Sequence, residues 1–176
     1  MFWNVVLGFV LMKTAGTWKA PVMAMMSLLH VFLFSMLLGI YFGWGENVLK
    51  VGSSPSLLVR EMFSAPLFQN ADYVKLLKGS GLNPLLQNYW MTIHPPTLFL
   101  GFSSTIVPFL FAFAGWYYKD PKSWLKPAQE WALFSGFILG LGILMGGAWA
   151  YESLSFGGYW AWDPVENMSL VPWIMI

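Results

Sequence analysis

The chain has 176 residues, of which 57% are hydrophobic and only 10% are charged, and its formal net charge is +1. A soluble domain carries about 25% charged residues, so this composition predicts an integral membrane protein surrounded by a lipid bilayer. The small net charge argues against nucleic acid as a partner. The absence of cysteine excludes disulfides, CxxC redox sites and thiolate metal sites.

Apolar runs in chain order predict an all-α, polytopic transmembrane bundle. The first run, Met1–Met12, reaches roughly 18 Å as a helix, whereas a bilayer core needs about 30 Å. Three runs are long enough to span, namely Val22–Gly43, Pro95–Tyr118 and Gln129–Ala150. A kink is expected at Pro108. The last run, Met168–Ile176, is again too short to span. We therefore expect the chain to be a piece of a longer membrane protein, cut inside a helix at each end.

These runs divide the chain into consecutive parts. Residues 1–45 are predicted to be transmembrane helices, 46–93 an external amphipathic segment, 94–150 a transmembrane hairpin, 151–167 an external tryptophan-rich segment, and 168–176 the start of a truncated helix. Within the amphipathic segment, Asn70 is placed to cap a short helix over residues 71–78 that stops at Gly79. Asn83 followed by Pro84 predicts another helix start.

Lysines in two short connections predict the orientation of the spans. These are Lys13 and Lys19 in one connection, and Lys119, Lys122 and Lys126 in the other. Positive charge in short loops favours the cytoplasmic side. The outer side then receives the amphipathic and tryptophan-rich segments, which agrees with simple up-and-down threading.

Small residues recur along the run Gln129–Ala150. They are Ala132, Gly136 and Gly140 at four-residue spacing, followed by Gly142 and Gly146. This spacing lets helix backbones approach closely in lipid, so we interpret these positions as tight packing sites. A substrate groove lined by glycine is the alternative, and no other sequence feature favours it.

The stretch IHPPT, Ile93–Thr97, places a histidine at the outer surface. Two prolines suit the first turn of a helix, and a residue before proline is disfavoured in the α region. We therefore expect His94 just before the helix, level with Trp149 to Trp162 across the antiparallel hairpin. Two interpretations stay open. His94 is a helix-start residue at the interface, or it is an axial ligand of a flat macrocycle such as haem, which stacks on aromatic rings.

The stretch GGYWAWDPVEN, Gly157–Asn167, combines a helix start with clustered aromatic rings. Asp163 fits an N-cap, Pro164 fits N1 and Glu166 at N3 can close a capping box, so capping is favoured over acid catalysis for Asp163. Trp160 and Trp162 would share a face in an extended strand. Interfacial anchoring does not readily explain the whole aromatic set, which comprises Trp149, Tyr151, Phe156, Tyr159, Trp160 and Trp162.

The stretch GGYWAWDPVENMSLVPW resembles the tryptophan-rich WWD signature of haem-handling membrane proteins. Its WDPVEN and trailing PW resemble in particular the CcmF/NrfE cytochrome c haem lyase family. Three further stretches agree in the family's order, namely LNPLLQN (Leu82–Asn88), IHPPTLFLGF (Ile93–Phe102) and GILMGGAWAYESLSFGG (Gly142–Gly158). The resemblance covers roughly the C-terminal half of the chain. Tyr159 and Ala161 depart from the usual form, which more often has Trp and another aromatic there.

The resemblance implies a haem-binding component of cytochrome c maturation in a bacterial plasma membrane or an organellar inner membrane. Such a protein receives haem from a carrier protein on the outer face and works with other cytochrome c maturation subunits. It helps attach the haem to the cysteines of an apocytochrome c. The thioether chemistry belongs largely to haem and apocytochrome, so no catalytic residue is assigned and the description as an enzyme stays open.

The resemblance also implies the site residues. His94 matches the first external axial ligand of the haem iron, and the second would lie beyond Ile176. The haem-contacting set comprises His94, Trp149, Tyr159, Trp160, Trp162 and Asp163. A separate membrane-embedded haem would be held by histidines outside this chain. His30 matches none of these ligands; it lies roughly 12 Å deep in its helix and is expected to hydrogen-bond a neighbouring helix.

Two other functional classes remain as alternatives. A permease or channel for haem or a small molecule would use the glycine-rich helix to line a path, and it would need polar groups facing a cavity. Apart from His30, the predicted spans offer few such groups. A structural assembly subunit would use its tryptophans only as membrane anchors.

Overall fold

The computed structural model describes residues 1–44, 47–70, 72–79, 81–153 and 158–176. In chain order the elements are α1 (Phe2–Thr14), α2 (Lys19–Leu38), β1 (Ile40–Trp44), β2 (Asn47–Val51), α3 (Val59–Met62), α4 (Tyr73–Leu76), α5 (Trp90–Ser104), α6 (Ile106–Tyr117), α7 (Leu125–Glu152) and α8 (Pro164–Met175). Single 3-10 turns lie at Gly16–Trp18, Pro66–Gln69 and Pro84–Leu86. The predicted all-α class is confirmed. At Pro84, where a helix start was predicted, a single 3-10 turn begins and no α-helix follows among the described residues before α5.

Three helical runs in the described part of the chain are long and apolar enough to cross a membrane. They are Gly16–Leu38, Trp90–Tyr117 and Leu125–Glu152. On α7, the exposed side chains of Leu133, Phe137 and Leu144 form an apolar outer face. Exposed apolar side chains are expected where the neighbouring medium is lipid rather than water. The chain is therefore an integral membrane protein.

One compact unit comprises residues 1–27 and 82–176. In this unit α5 packs along α7, and α1, α6 and α8 pack against this pair. The fully buried core side chains include Leu11 of α1, Met26 of α2, Leu110 and Phe111 of α6, and Leu139 of α7. The antiparallel arrangement of α5 and α7 brings the start of one beside the end of the other, which positions the site described below.

Glycine permits the close contact of α5 with α7. A Cβ at Gly101 of α5 would lie 2.6 Å from the Cα of Leu139, and a Cβ at Gly142 of α7 would lie 2.8 Å from the Cα of Leu98. Real Cβ atoms do not approach backbone atoms so closely. The predicted packing role of the small residues on α7 is thus confirmed at Gly142, and Gly140 similarly faces the Trp173 indole of α8.

Proline interrupts the run between α5 and α6. The two helices are separated by Thr105 alone, three residues before Pro108. Pro108 has no N–H to donate to the carbonyl of Ser104, so the helical hydrogen-bond ladder is incomplete at this point. The helix is thus interrupted one turn before Pro108, next to the position where a kink was predicted.

The prediction that His94 precedes its helix is wrong. Helix α5 begins at Trp90, so His94, Pro95 and Pro96 all lie inside it. The prolines leave the carbonyls of Met91 and Thr92 without helical donors, but both residues are exposed, where other partners are available. Packing of α5 along α7 therefore overrides the local preference of a residue before proline.

A second compact unit comprises residues 28–81, which include the C-terminal part of α2. The predicted span Val22–Gly43 is too long at its end, because α2 stops at Leu38 and Gly39 adopts a φ of 66°. A glycine with positive φ is a common helix stop. Strands β1 and β2 then pair antiparallel, with Ile40 opposite Val51.

The short helix predicted over 71–78 is also shorter than expected. Helix α4 covers Tyr73–Leu76, and its N-cap is Asp72 rather than Asn70. The Asn70 side chain instead accepts a hydrogen bond from the backbone N–H of Asp72 at 2.9 Å. Residues 45–46, 71 and 80 lie outside the described residues, including Glu46 and Ala71 of the predicted amphipathic segment.

Candidate functional site

A cavity of about 310 Å³ lies between α5, α7 and α8. Its lining combines apolar side chains with one imidazole and two carboxylates, namely His94, Leu98, Ile143, Gly146, Gly147, Trp149, Ala150, Asp163, Val165, Glu166 and Ser169. Three of the residues predicted for the site, His94, Trp149 and Asp163, are thus brought together. An apolar cavity with a few converging polar groups is the usual form of a small-ligand site.

The imidazole of His94 is fixed by the backbone of α7. Its Nδ1 atom lies 2.9 Å from the carbonyl oxygen of Gly142. A carbonyl oxygen only accepts, so Nδ1 carries the hydrogen and donates it. In the neutral ring Nε2 then has an open lone pair. A histidine whose other N–H is held by a backbone carbonyl has the arrangement common among metal ligands.

Gly146 provides the surface on which the His94 ring packs. A Cβ at Gly146 would lie 2.8 Å from Cε1 and 3.3 Å from Nε2 of that ring. Only a residue without a side chain permits the ring to take this position. The sequence singled out Gly142 and Gly146 as packing residues, but it gave no signal that a histidine 48 positions earlier is their partner.

Trp149 lies beside His94, as the hairpin topology predicts. Their ring centroids are 5.9 Å apart and the rings meet edge to face at 62°. Both residues are half-buried. The prediction that the start of α5 and the end of α7 meet at this level is confirmed.

A second contact fixes the same end of the hairpin. The side-chain amide of Asn88 donates to Glu152 Oε2 at 3.1 Å, and its Oδ1 accepts from the Trp90 backbone N–H at 3.2 Å. Asn88 therefore connects the start of α5 to the last residue of α7. Sequence reasoning did not identify this link, because its partners are 64 residues apart.

The capping box predicted at the start of α8 is confirmed. Asp163 Oδ1 accepts from the Glu166 backbone N–H at 2.7 Å, and Glu166 Oε2 accepts from the backbone N–H of Asp163 at 3.3 Å. Glu166 Oε2 also accepts from the Ala161 N–H at 2.8 Å. Both carboxylates line the cavity, yet each already holds the backbone that leads into α8.

The aromatic segment does not form the extended strand considered for Trp160 and Trp162. Trp162 has a φ of 57°, and its carbonyl accepts a hydrogen bond from the Asn167 side chain at 2.9 Å. The cap of α8 thus bends the backbone. The two indoles nevertheless touch, with centroids 5.6 Å apart and planes at 87°. The rings meet edge to face and do not form one flat surface.

The ring of Tyr159 packs against α7. Its ring lies 4.9 Å from that of Tyr151, centroid to centroid, and a Cβ at Gly147 would lie 3.0 Å from its Cδ1. Tyr159, Trp160 and Trp162 do not line the cavity. Trp162 is 68% exposed and Trp160 is half-buried. Residues 154–157, with Phe156 and Gly157 of the predicted segment, lie outside the described residues.

His30 does not line this cavity and belongs to the second unit of the chain. Its Nε2 atom is buried and has no hydrogen-bond partner in the described part of the chain. Its ring approaches Phe34, four residues later on the same helix, at 6.4 Å. The predicted hydrogen bond to a neighbouring helix is therefore not found at Nε2.

The family model and the individual relatives that match this chain all belong to cytochrome c assembly or biogenesis. The family described as Cytochrome C assembly protein matches residues 2–176. The chain is 41% identical over 100 residues to the cytochrome c-type biogenesis protein CcmF of Pseudomonas aeruginosa, a match covering 56% of this chain and 15% of that protein. It is 42% identical over 99 residues to the cytochrome c-type biogenesis protein CycK of Bradyrhizobium diazoefficiens, with the same coverage, 56% and 15%.

A further relative is the cytochrome c-type biogenesis protein NrfE of Haemophilus influenzae, which is 38% identical over 99 residues, or 56% of this chain and 16% of that protein. In all three comparisons the matched stretch is therefore a small part of the relative's length. No solved structure matches the chain.

Proposed function

The chain belongs to the cytochrome C assembly protein family, and we propose that it presents haem at the outer membrane face for covalent attachment to apocytochrome c. The observation that carries this proposal is the His94 imidazole. Its Nδ1 is bound to the Gly142 carbonyl, so that Nε2 is the nitrogen that would bind the haem iron.

Among the described residues no group of three or more His, Asp or Glu side chains could hold a bare metal ion, so His94 suits a macrocycle that carries its own iron better. The cavity of about 310 Å³ is near the lower limit for ligand pockets, roughly 300–1,000 Å³. It would take one edge of a haem, beside the Trp149 ring. The exposed Trp162 and half-buried Trp160 lie in the same segment as the Asp163 cap, where their rings offer stacking surface.

Haem would supply the reactive vinyl groups, to which the apocytochrome thiols add. The chain's own residues would bind and orient it. His94 would hold the iron through Nε2, the Trp149 indole would contact the haem, and the Gly142 carbonyl keeps the imidazole from rotating. In this proposal Asp163 and Glu166 hold the start of α8 and transfer no proton.

The proposal also covers how the chain is oriented in the membrane and which proteins it works with. The lysine-bearing connections lie on the cytoplasmic side, and the His94 cavity faces the outer side of a bacterial plasma membrane or an organellar inner membrane. The partners are a haem carrier protein, apocytochrome c and other cytochrome c maturation subunits. The names of the relatives, all cytochrome c-type biogenesis proteins, support this assignment.

A haem titration of the protein in lipid nanodiscs tests the proposal. His94→Ala should lose most of the added haem absorbance. His30→Ala is the matched control, because it removes the other histidine of the chain and should retain binding at the His94 site. Equal haem binding by the parent, His94→Ala and His30→Ala would contradict the proposed role of His94.

A further inference from the structure

Five lysines gather at the end of the first unit that lies opposite the His94 cavity. They are Lys13, Lys19, Lys119, Lys122 and Lys126, and all are exposed. The Trp18 and Tyr118 rings, 5.8 Å apart, join the connection after α1 to the connection after α6. The ion pair found among the described residues is Lys75–Asp72, so none of the five lysines is neutralised by a carboxylate there.

A groove of about 680 Å³ lies at this end, between the last turn of α6 and the loop that leads to α7. Its lining is mainly aromatic and apolar, and consists of Ala112, Gly115, Trp116, Tyr117, Lys119, Asp120, Pro121 and Trp124. The Trp124 indole packs directly on Gly115, where a Cβ would collide with the ring. This contact fixes one wall of the groove.

Lys119 occupies a backbone position that favours glycine. Its φ is 54°. Its N–H donates to the Trp116 carbonyl, and the N–H of Asp120 donates to the Gly115 carbonyl. These bonds form a Schellman motif at the end of α6, in which glycine is the usual residue at the left-handed position. Lys119 places a positive charge at the rim of the groove, although its backbone conformation is strained for any residue other than glycine.

Aromatic side chains place this end at the depth of lipid headgroups. Trp116 is 73% exposed, and the neighbouring Tyr117 and Tyr118 are also exposed. Exposed Trp and Tyr at a helix end favour the membrane–water interface. A second groove of about 480 Å³, lined in part by Lys19, opens at the same end.

Acidic groups oppose this charge only weakly. Asp120 also lines the first groove, but its Oδ1 accepts from the backbone N–H groups of Lys122 and Ser123, each at 3.0 Å. Glu130 lies one turn into α7 and is exposed. The five lysines therefore leave a clear excess of positive charge over an aromatic groove.

We propose that this lysine-rich end binds the headgroup of an anionic phospholipid. Lys119 contacts the phosphate at the rim of the groove, the other lysines add attraction, and the aromatic walls contact the glycerol and upper acyl region. Basic pockets at helix ends take anionic headgroups for this reason. The proposal does not depend on haem binding, since the groove and the His94 cavity lie at opposite ends of the hairpin.

Native mass spectrometry of the purified protein in neutral detergent tests the proposal. The probes are short-chain phosphatidylglycerol, phosphatidylcholine of the same chain length, and inorganic phosphate. Phosphatidylglycerol should bind most tightly, and inorganic phosphate at equal concentration should not displace it. Equal binding of the two lipids would contradict the proposal, and so would displacement by inorganic phosphate.

Variants at the groove sharpen the test. Lys119→Gly should weaken phosphatidylglycerol binding about five-fold, since one lysine near an anionic surface contributes a factor of this size, while the relaxed backbone keeps or raises the melting temperature. Asp120→Asn retains the turn and should tighten binding. Lys75→Gln with Lys78→Gln, two exposed lysines of the second unit, is the control and should change nothing. Unaltered lipid binding in Lys119→Gly would overturn the proposal.

Discussion

The Nδ1 atom of His94 lies 2.9 Å from the carbonyl oxygen of Gly142, and this hydrogen bond joins the imidazole of α5 to the backbone of α7. Because the carbonyl only accepts, the bond selects the tautomer with hydrogen on Nδ1. The same α5–α7 packing that stabilises the fold thus leaves Nε2 without hydrogen in the neutral ring.

The first prediction concerns this tautomer. In the haem-free protein at a pH where His94 is neutral, ¹⁵N NMR of labelled histidine should show Nδ1 protonated and Nε2 bare. His94→Ala identifies the signal by its loss. A His94 ring with hydrogen on Nε2 would mean that the Gly142 contact does not hold in the membrane.

The second prediction concerns the surface beneath the ring. Gly146→Ala places a Cβ 2.8 Å from His94 Cε1, so the imidazole must shift. We expect a loss of haem affinity of about ten-fold, which corresponds to about 1.4 kcal/mol, and a changed haem absorption spectrum.

Gly136→Ala is the matched control on the same helix, because its Cβ would meet only Ile176 Cγ2 at an ordinary 3.6 Å. The comparison is made by haem titration with melting temperatures measured in parallel. If both variants bind haem equally, the position of the His94 ring does not determine haem affinity.

The third prediction separates capping from acid chemistry at Asp163. Asparagine caps a helix nearly as well as aspartate, whereas alanine costs about 1 kcal/mol. Asp163→Asn should therefore keep haem binding and thermal stability close to the parent, and Asp163→Ala should lower the melting temperature. Loss of haem delivery in Asp163→Asn, with a normal melting temperature, would assign chemistry to the carboxylate and not to the cap.

The fourth prediction concerns the loop between α6 and α7. The backbone N–H of Ser123, and then that of Lys122, hold the pKa of Asp120 below its ordinary value. The ionised carboxylate thus stabilises the turn at pH values above the ordinary Asp pKa of about 4. This stabilisation is lost as the pH falls through the lower pKa of the folded chain.

A pH titration of the Asp120 ¹³Cγ resonance in nanodiscs measures that pKa directly. Asp120→Asn should remove the pH dependence of the loop signals, because its side chain accepts the same hydrogen bonds without titrating. An Asp120 pKa at or above its ordinary value would show that the two N–H groups do not stabilise the charge.

The features that the sequence predicted correctly depend on short-range contacts. The capping box at Asp163 and Glu166 involves residues three apart, and the break near Pro108 follows from one missing N–H. The prediction that His94 lies at the same height along the hairpin as Trp149 followed from the hairpin topology alone. In each case the determining contact is local, or the chain connectivity leaves only one arrangement.

The features that the sequence did not predict depend on distant partners. His94 lies within α5 because that helix packs on α7, and its Gly142 partner is 48 residues away. The Asn88–Glu152 link spans 64 residues. The β1–β2 hairpin was missed because the apolar run continues past Gly39. Gly39 is a possible helix stop, and the aromatic and β-branched residues that follow it favour a strand.

The central claim is that His94 Nε2 holds the haem iron, and pulsed electron paramagnetic resonance tests it most directly. The haem-loaded protein carrying ¹⁵N-histidine should show the hyperfine coupling of a directly coordinated imidazole nitrogen. His94→Ala should lose this coupling, while His30→Ala should retain it. A spectrum in which the coupling survives in His94→Ala, or is absent from the parent protein, would contradict the account.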